Sequence, residues 1–289
     1  MAISESRTLI LPAPAKLNLF LHVTGRREDG YHALETLLVP IDRGDRVTMS
    51  ERSDAAIVRT RGVPEVAPGD DLAVRAARLV QQVCSVGRGI DIAIDKRIPV
   101  GGGLGGGSSD AATVLLGLNR MWDLGLSRSA LMTMAVDLGA DVAFFIHGAP
   151  AFARGIGEIL QAVSLPPTWF VVIAPSVRVA TAEIFAAPEL TRNTRSAKME
   201  VYSEGYGRND LQAVAAERFP EIAACLDALS SETSGAALVA MSGSGACVFA
   251  AFSAEDIALQ ALARVTREGR AGFVARALNR HPLQHFAAP

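Results

Sequence analysis

The chain lacks a cysteine framework: Cys84, Cys225 and Cys247 are its three cysteines, odd in number and widely spaced. That excludes a disulfide scaffold and a cysteine-paired zinc site, and it points to a reducing, cytoplasmic setting. It also lacks an excess of charge. The 28 Lys and Arg against 30 Asp and Glu leave a formal net charge of −2, so no nucleic-acid partner is expected. No apolar run approaches the length of a membrane span, so no membrane association is expected either. The apolar patch at residues 9–11 is cut by Pro12 and Pro14 and is too short for a signal-peptide core. No internal repeat is present. What remains is a 289-residue chain with 49% hydrophobic and 20% charged residues. This is an ordinary globular composition, long enough for one large or two medium domains.

The most informative stretch is Pro99, Val100, Gly101, Gly102, Gly103, Leu104, Gly105, Gly106, Gly107, Ser108 and Ser109. Six of the seven residues from Gly101 to Gly107 are glycine, which is costly in backbone entropy and builds no core. Glycine does let successive N–H groups converge on an anion. Ser108, Ser109 and Asp110 are cap-type residues, and residues 111–118 read as helix. A glycine loop feeding a helix N-terminus suits phosphate. A flexible linker would not run from a β-rich segment straight into a capped helix. A Walker A loop is excluded because no lysine follows Gly107. A dinucleotide fingerprint matches formally at Gly101, Gly103 and Gly106, but in so glycine-dense a stretch the match carries little weight.

Around this loop the chain alternates strands and helices. Residues 15–23 alternate with period two. Leu17, Leu19, Leu21 and Val23 point to one face, with Lys16, Asn18, Phe20 and His22 on the less apolar other face, where such polar groups are commonly solvated. A turn at Asp29-Gly30 leads to a strand at 34–41, with further strands over 46–59 and a loop at 64–70. Tyr31 and His32 either satisfy each other or stack on and bond to a flat base. A helix is expected at 72–83 with its cap at 70–71, a strand at 89–98, and a helix at 127–138 stopped by Gly139. Asp141 reads as a helix N-cap, as a pocket carboxylate, or as both. A hairpin is expected over 151–163, turning at 155–157.

Pro166-Pro167 marks a candidate boundary between domains at 1–165 and 166–289. Beyond it lie a strand at 170–174, a helix starting near 181, a polar surface excursion at 192–208 and a helix at 210–229 broken at Pro220. A strand–turn–strand follows over 237–252, whose Ser242-Gly243-Ser244-Gly245 reads as a structural hairpin, then a helix at 254–267 and a strand at 272–278. The second half reads as α+β.

Three motifs in this order resemble those of the GHMP kinases: residues 14–18, the loop at 99–112, and residues 241–247. Asp29-Gly30-Tyr31-His32, residues 95–99 and residues 138–142 narrow the likeness to the branch that acts on a cytidylylated sugar alcohol; it spans nearly the whole chain. The resemblance implies a two-lobed α+β GHMP kinase fold, with a ribosomal protein S5 domain 2-like N-terminal lobe that binds ATP and a ferredoxin-like C-terminal lobe. It implies transfer of the ATP γ-phosphate to the tertiary 2-hydroxyl of a methylerythritol unit, a step toward isoprenoid precursors. On this reading Asp141 is the general base and Lys16 stabilises charge on the transferring group. Residues 99–109 embrace the ATP phosphates and Lys96 approaches the adenosine. Asn18 holds hydroxyls with Asp141, His32 reads the cytosine edge between Tyr31 and Phe185, and Thr181 lies near the substrate. Mg²⁺ is expected to arrive bound through ATP, with no protein metal site. The chain is expected to be a monomer or homodimer. Where the family often has Asn-Leu, this chain has Asp71-Leu72, which removes an amide donor from the expected adenine pocket. Another GHMP small-molecule kinase, a Rossmann dehydrogenase and a non-catalytic nucleotide-binding module are the competing readings.

Overall fold

The computed structural model describes residues 7–196, 208–233 and 235–288. Two sheets form its frame among these residues. The first opens with a long antiparallel pair, β1 (Thr8–Arg26) and β2 (His32–Arg52), joined by the tight turn at Asp29-Gly30. The far edge of β2 is shared: its second half pairs with β4 (Gly89–Asp95) and its first half with β5 (Ala151–Gly155). β3 (Ile57–Arg61) and β6 (Ile159–Ala162) complete the edges. The second sheet has the order β10-β7-β9-β8, built from β7 (Trp169–Ile173), β8 (Leu238–Met241), β9 (Val248–Phe252) and β10 (Gly272–Arg276). With helices after β7 and after β9, that order is the split βαβ arrangement of a ferredoxin-like lobe.

The helices follow from their caps and periods. α1 (Leu72–Val83) starts where the Asp71 carboxylate accepts the N–H of Ala73 at 2.9 Å, and α3 (Arg128–Val136) where Ser127 Oγ accepts the N–H of Ala130. α2 (Gly106–Met121) is the buried spine of the first lobe and packs with α1 and α4 (Ala140–His147) on one side of its sheet. α5 (Thr181–Ala186), α6 (Asp210–Arg218), α7 (Pro220–Glu232) and α8 (Glu255–Val265) belong to the second lobe, and Pro220 begins α7 as the break at that residue requires. A third apolar cluster joins the lobes: Leu17, Leu19, Phe20, Leu37 and Val39 of the first sheet meet Phe170, Val172 and Phe249 of the second.

Several expectations change. The alternation in β1 is broken by irregular register between Asn18 and Leu21, so Phe20 packs in the same cluster as Leu17 and Leu19. Lys16 and Asn18 are buried, at 4% and 3% exposure, because the glycine loop at Gly105 and the tip of the Gly243 hairpin close over their face, while the opposite face, with Leu17 and Leu19, packs on the second sheet. α2 begins a turn earlier than read, with Gly105 as cap at φ +71° and no side-chain cap, so Ser108, Ser109 and Asp110 lie inside the helix. Asp141 is the second residue of α4 rather than its cap, which is Gly139. β4 stops at Asp95 because the N–H groups of Arg97 and Ile98 donate to the Asp45 carboxylate, at 2.6 and 2.8 Å, instead of to the ladder. Of the surface excursion read at 192–208, residues 197–207 lie outside the described residues. Its first part is pinned: the Thr194 N–H donates to the Val23 carbonyl at 3.1 Å and Ser196 Oγ donates to Glu35.

The chain's last segment returns to the first lobe. Leu283 and Ala287 join its core, and the Arg128 guanidinium donates to the carbonyls of Ile146 and Gln284. His281 lies in this seam. Its N–H donates to the Gly148 carbonyl at 2.7 Å and its Nδ1 accepts the Leu283 N–H at 3.1 Å. Nε2 is buried without a hydrogen-bond partner among the described residues. Burial, with Arg128 nearby, draws the ring's pKa from 6.5 down to about 4. The folded state therefore binds fewer protons than the unfolded chain between those values. Stability should fall as pH drops through that window, by ~3 kcal/mol at the acid end. Urea unfolding at about pH 7 and pH 4.5 checks this: His281→Gln should flatten that part of the dependence.

Candidate active site

The lobes enclose a cavity of about 520 Å³. Its floor is the segment from Pro99 to Ser108, whose shape depends on contacts with both lobes. On one side, Lys16 N–H donates to the Leu104 carbonyl at 3.0 Å, and Leu104 itself is buried. On the other, Ser242 Oγ donates to the Gly103 carbonyl at 3.0 Å and the Cys247 N–H to the Gly102 carbonyl at 3.1 Å. Gly103 sits at φ +73°, and a Cβ there would overlap the carbonyl oxygen of Ser242. Glycine is therefore required by both backbone angle and close approach. The first N–H with an intrahelical partner in α2 is that of Ser109, which donates to Gly105 at 2.9 Å. The first-turn N–H groups of Gly106, Gly107 and Ser108 are left facing the cavity end of the helix, with the dipole behind them.

Lys16 and Asp141 come together above this floor. Lys16 Nζ lies 3.8 Å from Asp141 Oδ2 and donates a short bond to Asn18 Oδ1. Asn18 Nδ2 in turn donates to Thr36 Oγ1 at 2.9 Å, and Thr36 Oγ1 to the Phe20 carbonyl at 2.5 Å. This relay fixes the amide so that its oxygen faces the ammonium. The Lys16 stem runs past Gly105, where a Cβ would come within 3.1 Å of it. Its side chain is 5% exposed and that of Asp141 is 40% exposed, so the carboxylate is the member open to the cavity.

A second charged group lies at the root of the loop. Lys96 Nζ donates to Asp45 and, at 2.9 Å, to Asp110. Asp45 also accepts the two N–H groups that lead into the loop, so it anchors β2 to the loop's entrance. Burial pushes the Asp110 carboxyl up, against the pull of Lys96. Both oxygens of Asp71 are occupied, one by its own helix cap and the other by Arg59 Nη1 at 2.7 Å. The Asp71-Leu72 departure is thus accommodated by an ion pair at the cavity wall.

Of the residues singled out in the sequence, Lys16, Asn18, Lys96, Asp141, Thr181, Phe185 and the whole loop from Pro99 to Ser108 line the cavity. Ser109 does not; it is fully buried in α2. Tyr31 is 63% exposed on the β1–β2 turn, and His32 lies outside the lining with its ring 5.0 Å from that of Phe185. Gly243, Ser244 and Gly245 read in sequence as a structural hairpin, yet this hairpin lines the cavity, and Ser244 Oγ is 2.8 Å from Thr181 Oγ1. Thr36 and Asp45 carry no local signal, because a lone polar residue on a strand reads the same whether it faces water or a closed cavity, and the cap signal of Asp110 hides its ion pair with Lys96. Among the described residues no group of three or more His, Cys, Asp or Glu side chains is placed to hold a metal ion, and no helix is long and apolar enough to cross a membrane.

Comparison with known proteins places this geometry. Residues 71–149 match the GHMP kinases N terminal domain and residues 189–281 the GHMP kinases C terminal domain. A 4-diphosphocytidyl-2-C-methyl-D-erythritol kinase from Thiobacillus denitrificans is 53% identical over 275 residues, covering 95% of this chain and 97% of that protein. The chain belongs to the 4-diphosphocytidyl-2-C-methyl-D-erythritol kinase family. It is a GHMP kinase with an α+β fold. A crystal structure of 4-(cytidine 5'-diphospho)-2C-methyl-D-erythritol kinase, 35% identical, superposes with a TM-score of 0.81 over 93% of this chain and 99% of that one. A homoserine kinase from Cytophaga hutchinsonii, 16% identical with a TM-score of 0.65 over 97% of each chain, shares the fold.

In this kinase Gly103→Ala combines a left-handed backbone angle with a backbone overlap, a cost of ~2–4 kcal/mol. Thermal melting should show the loss, and turnover should fall as the loop is displaced from the hairpin. Gly87→Ala, at a position with open space around it, should change neither.

Proposed function

We propose that this kinase transfers the γ-phosphate of ATP to the 2-hydroxyl of 4-diphosphocytidyl-2-C-methyl-D-erythritol. The observation that carries the reading is the meeting of Lys16 and Asp141, 3.8 Å apart, over a floor of glycine-loop amides in one cavity. Phosphoryl transfer asks for positioning and charge stabilisation more than for covalent catalysis. The loop amides and the α2 N-terminus receive the phosphates, with the adenosine toward Lys96 and Leu72. Asp141 accepts a hydrogen bond from the substrate 2-hydroxyl and takes its proton as the oxygen bonds to phosphorus and the bond to the ADP leaving oxygen breaks. A carboxylate is a far weaker base than an alkoxide, so the proton leaves late and Asp141 acts also by orientation. Lys16 stabilises the negative charge on the transferring group, held in place by Asn18. Thr181 and Phe185 border the acceptor's path toward Tyr31 and His32, where the cytosine is read.

A Mg²⁺ ion accompanying ATP would be held on the protein side by the Asp141 carboxylate and the Ser108 hydroxyl. The oxygen donors at this end of the cavity, Asp141 and the Ser108 hydroxyl, are too few for a closed protein cage and suit an ion that keeps most of its ligands from the nucleotide. When bound it offsets phosphate charge.

Coupled ADP release tests the assignment. Turnover with the cytidylylated methylerythritol should far exceed that with the uncytidylylated alcohol, with homoserine and with mevalonate; a preference for one of the others would overturn it. Asp141→Asn should lower kcat by at least about 100-fold while calorimetric binding of an ATP analogue is nearly unchanged. Near-normal turnover in that variant would contradict the role of Asp141.

A further inference from the structure

The ring of His32 is held by one residue that no motif marks. Arg192 Nε lies 3.1 Å from His32 Nε2. A guanidinium N–H can only donate, so Nε2 must accept. The same guanidinium donates to the carbonyls of Leu190 at 3.0 Å, Phe185 at 2.9 Å and Ala187 at 2.6 Å. It is thus a rigid fork that ties the His32 ring to the end of α5, the helix that carries Phe185. The rings of His32 and Phe185 lie 5.0 Å apart at 31°.

We infer that Arg192 is a positioning residue for nucleobase recognition: it locks neutral His32 as the Nδ1–H tautomer, so that this end of the site offers a hydrogen-bond donor to an acceptor atom on a pyrimidine edge. Because Nε2 accepts from Arg192, the single proton of the neutral ring must sit on Nδ1. No hydrogen bond to Nδ1 is present among the described residues. The charged groups that set the ring's state are Arg192 and Arg26, the latter paired with His32 across the β1–β2 hairpin. Burial first, and then these two cations, hold the ring's pKa below 6.5, so the neutral form is favoured around pH 7. A cationic histidine would donate from both nitrogens and would repel Arg192. The inference rests on the proposed function only for the identity of the base; the tautomer is a property of the protein alone.

Two measurements separate those parts. Nitrogen-15 spectra of the imidazoles in the full-length protein should show, for His32 at about pH 7, a protonated Nδ1 and an unprotonated Nε2. Protonated Nε2 in the unsubstituted protein would overturn the inference, whatever the enzyme's substrate. In Arg192→Ala the Nε2–H form should appear, and the ring should titrate closer to 6.5. Kinetically, Arg192→Ala should raise KM for the cytidylylated acceptor about tenfold, with kcat and KM for ATP within about twofold. The acid limb of that KM should also move to higher pH than in the unsubstituted enzyme. In the His32→Ala background, Arg192→Ala should add nothing to KM, because it acts through the ring. Additive effects, or an unchanged KM in the single variant, would overturn the inference. Should the cytidylylated compound prove not to be the substrate, the proposed function falls, while the spectra still decide the tautomer.

Discussion

The outer edge of β1 is the constraint on which the rest depends. An edge strand carries a row of N–H groups that must find acceptors, and here they find them on three different segments. Lys16 N–H donates to Leu104 in the glycine loop, Asn18 N–H to Ser242 Oγ in the second-lobe hairpin, and Leu21 N–H to the Arg208 carbonyl ahead of α6. One strand therefore gathers the glycine loop and the second lobe while its own side chains, Lys16 and Asn18, face the cavity between them. The second lobe closes the arrangement through Gly102 and Gly103, which bond to the same hairpin.

The two lysines at the site are treated differently by their surroundings. Lys96 is saturated by Asp45 and Asp110, and the work of that cluster is to pin the strand that enters the loop. Lys16 has one carboxylate within ion-pair distance, at 3.8 Å, and its firm bond is to a neutral amide. A cation compensated in this way keeps more of its field for an incoming anion than one flanked by two carboxylates. Position relative to fixed acids, rather than residue type, is what separates the two lysines here.

Local physics made much of the fold legible. The Asp71 cap, the Pro220 break, the Asp29-Gly30 turn and the hairpin glycines at 155–157 act through neighbours in sequence, and the elements they bound appear where read. The glycine loop was legible because so many glycines in sequence have few uses other than close approach of the backbone. Misreadings gather where a distant segment intervenes. The Asp45 carboxylate ends β4 early by taking the N–H groups of Arg97 and Ile98, and the glycine loop with the Gly243 hairpin turns the expected solvated face of β1 into a buried one. Gly105, through its left-handed angle, starts α2 a turn before the serines that would have capped it.

The sequence by itself determined the element types, the glycine loop and the family, because each is written in motifs whose residues lie a few positions apart. Tertiary structure alone decided that residues 16, 141, 181 and 243–245 border one cavity, that Lys96 is neutralised while Lys16 is not, and that an arginine far along the chain orients His32. The reason is range: capping, turns and periodicity operate within about a turn of backbone, whereas burial, charge pairing and tautomer choice depend on which groups the fold brings within a few ångströms, whatever their separation in sequence.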